Sequence, residues 1–180
     1  MVVLYRMSET ARLDSEAIDV HETASSLPFE AFFEQERDQL YRALWLVTRN
    51  RFEAEDLTQE AFVRVLERWD RVSAVDDPHA YLFKTAMNTF RTSYGRAVLA
   101  AKRTMGIKPT DDAIGEIDER DAVVRALAHL SPRQRAAVVL TDMLGFRSEQ
   151  AARMLGIRPS TLRMHASRAH AALKETISRD

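Results

Sequence analysis

Apolar residues recur at helical spacing through most of this chain, and no segment of useful length alternates as a half-buried strand would. Phe29, Phe32, Phe33, Leu40, Ala43, Leu44 and Val47 predict a first helix. A second, from about Ala54 to Trp69, carries Leu57, Ala61, Val65, Leu66 and Trp69 on one face. Asp76-Asp77-Pro78 then interrupts the pattern, and Pro78 suits the first turn of a third helix. Its inner side takes Tyr81, Leu82, Thr85, Ala86 and Phe90. These helices define a first domain over residues 28–96, preceded by an extension over 1–27 with little periodicity. Gly106, Pro109 and Gly115 mark residues 97–119 as a flexible linker, with some helical character near Arg96–Arg103.

A second domain over 120–177 opens with Val123, Leu127 and Leu130. Ser131-Pro132-Arg133-Gln134 reads as a capping box, and Val138, Val139, Met143 and Leu144 carry an apolar face to a stop at Gly145. Ser148 can cap a short helix that stops at Gly156, and Pro159-Ser160 starts the next. Ala151, Leu155, Ile157 and Leu162 have the spacing of a helix-turn-helix, with small Ala152 where the two helices cross. The second helix of such a unit enters the DNA major groove. It would present Ser160, Thr161, Arg163, Met164, Ser167 and Arg168.

The net charge of −1 gives no global sign of nucleic-acid binding, but its distribution does. Lys84 to Lys108 holds six basic residues and no acid; Asp111 to Asp121 holds six acids and one base. From Gly145 onward seven Lys/Arg face three acids, so two basic blocks flank an acidic one. Within the first block Lys84, Asn88 and Arg91 share a face able to track a phosphate backbone, with aromatics close enough to stack bases. On the second helix Asp56, Gln59, Glu60 and Val63 form a stripe away from the apolar face, read either as a protein-binding surface or as an ordinary solvated one.

Other chemistry is poorly represented. There is no cysteine, the five histidines form no ligand pattern, and Glu60 lacks the His at helical spacing that a carboxylate-bridged metal site needs. No phosphate loop, dinucleotide fingerprint or nucleophile elbow occurs. The expectation is therefore no metal, no cofactor and no catalytic residue. No apolar run approaches the roughly 18 residues that span a bilayer, and the first residues are too weakly basic for a signal peptide, which points to the cytoplasm.

Three stretches resemble the sigma-70 family of transcription initiation factors, in particular its compact extracytoplasmic-function (ECF) class. EAEDLTQEAFVRVLERW (53–69) is similar to the family's region 2 helix, DPHAYLFKTAMNTFRTSYGR (77–96) to the helix that follows it, and residues 130–173 to region 4. The resemblance implies an all-α fold of a region 2 bundle and a region 4 helix-turn-helix. It implies that Asp56, Gln59 and Glu60, with Val63 beside them, hold the clamp helices of the polymerase largest subunit. Lys84, Asn88 and Arg91 would then handle the minus-ten element, and the recognition helix the minus-thirty-five element of promoter DNA. An anti-sigma factor is a further implied partner. The chain departs from the family pattern at Thr92, where an Asp is common, and at His165 and Ala166, where an Arg and a Leu are usual. A stand-alone helix-turn-helix regulator and an all-helical interaction protein are the competing readings.

Overall fold

The computed structural model describes residues 27–103 and 122–177. The extension up to residue 26 and residues 104–121, which include most of the linker segment, lie outside the described residues. Among those described, every regular element is helical, in the order α1 (Phe29–Thr48), α2 (Arg51–Leu66), α3 (Trp69–Val72), α4 (Pro78–Arg103), α5 (Ala122–Ala128), α6 (Pro132–Val138), a π turn (Val139–Met143), α7 (Ser148–Leu155) and α8 (Pro159–Ile177).

The first three long helices form where periodicity places them. Helix α1 ends on Arg49, a non-glycine residue at φ 58°, whose N–H donates to the Trp45 carbonyl at 2.7 Å. Such a left-handed residue is a common way to stop a helix. One residue later Asn50 caps α2, its side-chain oxygen accepting from the Glu53 N–H at 3.0 Å. This tight reversal brings α1 and α2 together as neighbours, and α4 packs across α2. Leu40, Leu44, Val47, Leu57, Val65, Leu82, Phe83 and Met87 are all buried between them. Phe29, Phe32, Phe33, Phe62 and Trp69 make an aromatic cluster at one end, with ring centroids between 4.7 Å and 6.4 Å apart. Edge-to-face pairs within it are the favoured geometry for such rings.

The structure differs from the sequence reading at several points. Leu66, placed on the inner face of α2, is about half exposed because the chain turns into α3 there, and Trp69 fills the position instead. Phe83, grouped with aromatics free to stack bases, lies fully in the core. Helix α4 continues through Gly95 as far as Arg103. In the second unit the Ser131 box forms on both sides: Ser131 N–H donates to Gln134 Oε1 at 2.8 Å, and Gln134 N–H to Ser131 Oγ at 3.4 Å. Ser148, by contrast, is the first residue of α7 and not its cap; Arg147 holds that place, its N–H donating to Gln150 Oε1 at 3.1 Å.

The helix after Ser131 also changes pitch. At Val139 it widens into a π turn, closed by the Leu144 N–H on the Val139 carbonyl at 3.0 Å. The wider turn rotates the residues that follow. Met143, expected on the apolar face, is half exposed, and Phe146 is carried inward to 8% exposure.

That inward turn matters because the two helical units share a core. One buried cluster contains Leu40, Val47, Phe83 and Phe90 together with Leu140, Phe146, Ala152 and Met154. A smaller cluster of Leu127, Leu130, Val138 and Ala169 receives Leu46 of α1 at its edge. Phe146 stacks on the His79 ring at 5.4 Å and meets Phe83 at 5.6 Å. Arg135, 2% exposed, donates from Nε to the Val47 carbonyl of α1 at 2.9 Å and from Nη1 to the Leu130 carbonyl at 2.8 Å.

The two left-handed glycines allow a contrast. Gly145 and Gly156 both sit at positive φ, but only at Gly156 would a Cβ meet a neighbour, overlapping Arg91 Nη1. Alanine at either position is expected to cost about 1–2 kcal/mol of backbone strain. Thermal denaturation should show the larger loss for Gly156→Ala, since Arg91 must also give up its place. Equal losses would mean that the Arg91 contact adds nothing to stability.

Candidate functional surfaces

The acidic stripe lies on the side of α2 turned away from the core. Asp56, Gln59, Glu60 and Val63 are all exposed, Val63 by 54%. Their electrostatic settings differ. Glu60 is paired with Arg64 at 2.5 Å, and Arg64 is held in turn by Thr89 of α4 at 3.1 Å. Asp56 has no such partner among the described residues. Burial, and then the neighbouring Asp56 charge, push the Glu53 carboxyl above its usual pKa. The stripe thus carries uncompensated negative charge centred on Asp56.

Sequence reasoning missed two residues here. Phe52 is 69% exposed and Leu66 52%. Both fall in line with Asp56, Gln59 and Val63 at intervals of three and four, so they share that side of the helix. The polar side of α2 therefore has an exposed spine, apolar at both ends and acidic and amide at its centre, a composition suited to a protein partner more than to solvent. The large apolar residues Phe52, Val63 and Leu66, in register with the acids, were the available signal. Beside the spine an open groove of about 610 Å³ runs between α1 and α2, with Phe33, Tyr41, Trp45, Gln59 and Phe62 among its walls.

The recognition helix keeps its expected face. Ser160, Arg163, Met164, Ser167 and Arg168 are exposed and Thr161 is half-buried, while Leu162 and Ala169 are fully buried on the other side. Arg163 reaches Glu149 at 3.8 Å, with both side chains well exposed. A contact that wet does not hold an arginine firmly. His165 is half-buried; burial and the nearby Arg133 and Arg168 charges hold its imidazole below its usual pKa. A hydrogen bond from α8 steadies the helix, joining His170 Nε2 to Asp142 Oδ2 of the π turn at 2.5 Å. Burial raises the Asp142 carboxyl, but hydrogen bonds from His170 and Thr141 outweigh it and leave the pKa low.

Lys84, Asn88 and Arg91 do share a stripe of α4, as their spacing requires. The stripe does not face open solvent throughout, because α7 lies along it. Lys84 borders a cleft of about 270 Å³ with Ala80, Tyr81, Gln150, Arg153 and Met154. Arg91 Nη1 donates to the Leu155 carbonyl at 3.3 Å. No group of three or more potential metal ligands occurs among the described residues. No described helix is long and apolar enough to cross a membrane.

Comparison with known proteins places these surfaces in a family. The Sigma-70 region 2 family model matches residues 32–98, and the Sigma-70, region 4 family model matches residues 120–173. The ECF RNA polymerase sigma factor SigM of Mycobacterium tuberculosis is 30% identical over 90% of this chain and 83% of its own length. The RNA polymerase sigma-E factor of Streptomyces avermitilis is 32% identical over 86% of this chain and 88% of its own. Among solved structures, the sigma factor RpoE of Bartonella quintana, in complex with the anti-sigma factor NepR, superposes with a TM-score of 0.70 at 25% identity. That match covers 84% of this chain and 98% of RpoE. A helix-turn-helix on one unit, an exposed apolar and acidic helix face on the other and relatives matched across both units lead to one conclusion: the chain belongs to the sigma-70 family as an ECF-class sigma factor, a transcription initiation factor that directs RNA polymerase to promoters.

Proposed function

We propose the following division of labour among the residues of this sigma factor. Residues 28–96 hold core polymerase through Asp56, Gln59, Glu60 and Val63, with Phe52 and Leu66 as apolar contacts at the two ends of the same stripe. The occupant is the pair of clamp helices of the largest subunit. Lys84, Asn88 and Arg91 track the separated strand at the minus-ten element. Residues 120–177 read the minus-thirty-five element with Ser160, Thr161, Arg163, Met164, Ser167 and Arg168. The protein supplies no catalysis of its own and acts in the cytoplasm. An anti-sigma factor regulates it, as the RpoE–NepR complex illustrates for a relative. The observation that carries this reading is the exposed spine of α2, apolar at Phe52, Val63 and Leu66 and polar at Asp56 and Gln59, on the face that the fold leaves without a partner. Run-off transcription with purified core on a library of random promoters tests it. Initiation at defined sites only when the chain is added supports the assignment, and operator binding without core would favour a stand-alone regulator.

The uneven pairing of the acids sets an order. Truncating or reversing one side of a desolvated interfacial charge pair costs about 2–5 kcal/mol. Asp56→Arg is expected to weaken core binding within that range while leaving circular dichroism unchanged. Glu60→Arg should cost less, because Glu60 must first exchange Arg64 for the new partner. Core affinity that stays constant in both variants excludes this stripe as the polymerase contact.

On the DNA side, Arg163→Ala should leave stability nearly untouched, given its loose pairing with Glu149. A base contact there predicts a loss of about 1–3 kcal/mol confined to one promoter position. A uniform loss over all promoter variants would make Arg163 a phosphate contact.

His165 offers a titration test. Its depressed pKa means that the fold disfavours the charged ring. The associated stability is complete above the unfolded value of about 6.5 and declines as pH falls from there through the folded value. Phosphates brought against α8 offset the Arg133 and Arg168 charges, so the pKa should rise on binding promoter DNA. Histidine NMR titrations of the free and bound chain measure this directly, and an unchanged midpoint would place His165 away from the DNA backbone.

A further inference from the structure

We propose that His170 is a positioning residue for promoter reading: by engaging the Asp142 carboxylate it keeps that acid from drawing Arg163 away from DNA. This rests on the assignment of Arg163 to the minus-thirty-five element. Two observations carry it. The first is a shared cleft. Arg163, Ser167 and His170 follow one another at intervals of four and three, so they line one face of α8. Opposite them the π turn supplies Thr141 and Asp142 and the start of α7 supplies Ser148, enclosing a cleft of about 360 Å³. Glu149, next to Ser148, stands 3.8 Å from Arg163. One guanidinium thus has two acids around it.

The second observation is how unevenly those acids are occupied. Asp142 Oδ2 accepts from His170 Nε2 at 2.5 Å. Either the imidazolium or the neutral ring with its proton on Nε2 can make that bond. Oδ1 lies 2.7 Å from the Thr141 hydroxyl, whose single proton is shared with the Ala137 carbonyl at 2.9 Å. Burial raises the Asp142 carboxyl, but the bonds from His170 and Thr141 hold it low, so it carries a full negative charge. Glu149, by contrast, meets Arg163 only at the outer limit of an ion pair, with both side chains in solvent.

A single wet carboxylate at that distance holds an arginine weakly. Asp142, once released by His170, borders the same cleft and can take the guanidinium from a second side. An arginine held by two carboxylates must leave both before it reaches a base or a phosphate. His170 prevents this without touching DNA. The two partners of the pair therefore have opposite effects on promoter binding: His170 helps it, and Asp142 hinders it when His170 is gone. An ordinary stabilising pair would make them equivalent.

That asymmetry is measurable with core polymerase carrying each variant, titrated at one salt concentration with a fluorescein-labelled duplex. The duplex is the one that yields most transcript in the run-off selection. Asp142 and His170 side chains are both about half exposed, so their substitution should leave circular dichroism unchanged. His170→Ala should weaken binding about 3- to 5-fold, the scale of an exposed ion pair. Asp142→Asn should not weaken it. His170→Ala/Asp142→Asn should return to the unmutated affinity, and His170→Arg, which still engages the carboxylate, should match it. Equal losses from His170→Ala and Asp142→Asn, or a double variant that does not recover, overturn the proposal. Arg163→Ala locates any failure. If it weakens binding and abolishes the further effect of His170→Ala, both assignments stand. If His170→Ala still weakens binding in the Arg163→Ala background, Asp142 acts on DNA directly, and the proposal falls while Arg163 keeps its role. If Arg163→Ala alone changes nothing, the promoter role of Arg163 falls and takes the proposal with it.

Discussion

Arg135 occupies a position where a helical core would ordinarily hold a leucine. A guanidinium taken out of water is costly unless its donors are bonded, and here the acceptors are backbone carbonyls at helix ends. Val47 lies in the last turn of α1. Carbonyls there have no partner further along the helix, and the dipole concentrates negative charge. Leu130 closes the segment before the Ser131 cap. One side chain therefore satisfies the ends of two segments that are far apart in sequence, and in doing so fixes α6 against α1. The remaining contacts follow from that placement. With α6 held, the π turn aims Phe146 at His79 and Phe83, and α7 comes to rest along α4.

The consequence for the surfaces is asymmetric. The spine of α2, from Phe52 to Leu66, faces away from the second unit and needs no rearrangement to receive a partner. The Lys84–Arg91 stripe borders α7 in the same arrangement, with Lys84 and Arg91 exposed and Asn88 half-buried. The outer face of α8 stays exposed, but at a fixed and short distance from the first unit.

Much of this was legible in the sequence, and the limits have physical causes. Periodicity located α1, α2, α4, α7 and α8 because each buries one face, and the Ser131 box announced itself through local hydrogen-bonding chemistry. The exposed positions of the recognition helix followed from the apolar spacing of the motif, with Leu162 on its buried side. Local patterns carry no information about which distant faces meet, so Arg135 looked like any surface arginine and His79 like an isolated histidine. The π turn was also invisible, since Val139, Met143 and Leu144 have the spacing of a regular helix. Only tertiary packing of Phe146 favours the wider turn. Phe52 and Leu66 were missed for simpler reasons: Leu66 was assigned inward with the other apolar residues, and Phe52 precedes the expected helix start at Ala54, although their register with Asp56 and Val63 places both outward.

A helical unit of about 60 residues or fewer buries too little of its surface to be robust alone. Region 4, matched over residues 120–173, is of that size. Sharing a core with region 2 offsets that deficit. The same economy sets a condition on opening. Separation uncovers Phe146, Met154 and the His79–Phe83 surface together, and it leaves the carbonyl of Val47 to water. Apolar surface so exposed costs roughly 2.5 kcal/mol for about every 100 Å². A partner that holds the units apart must therefore cover this surface or supply contacts of equal weight. Because the two sides of the interface belong to different units, that partner has to engage both at once.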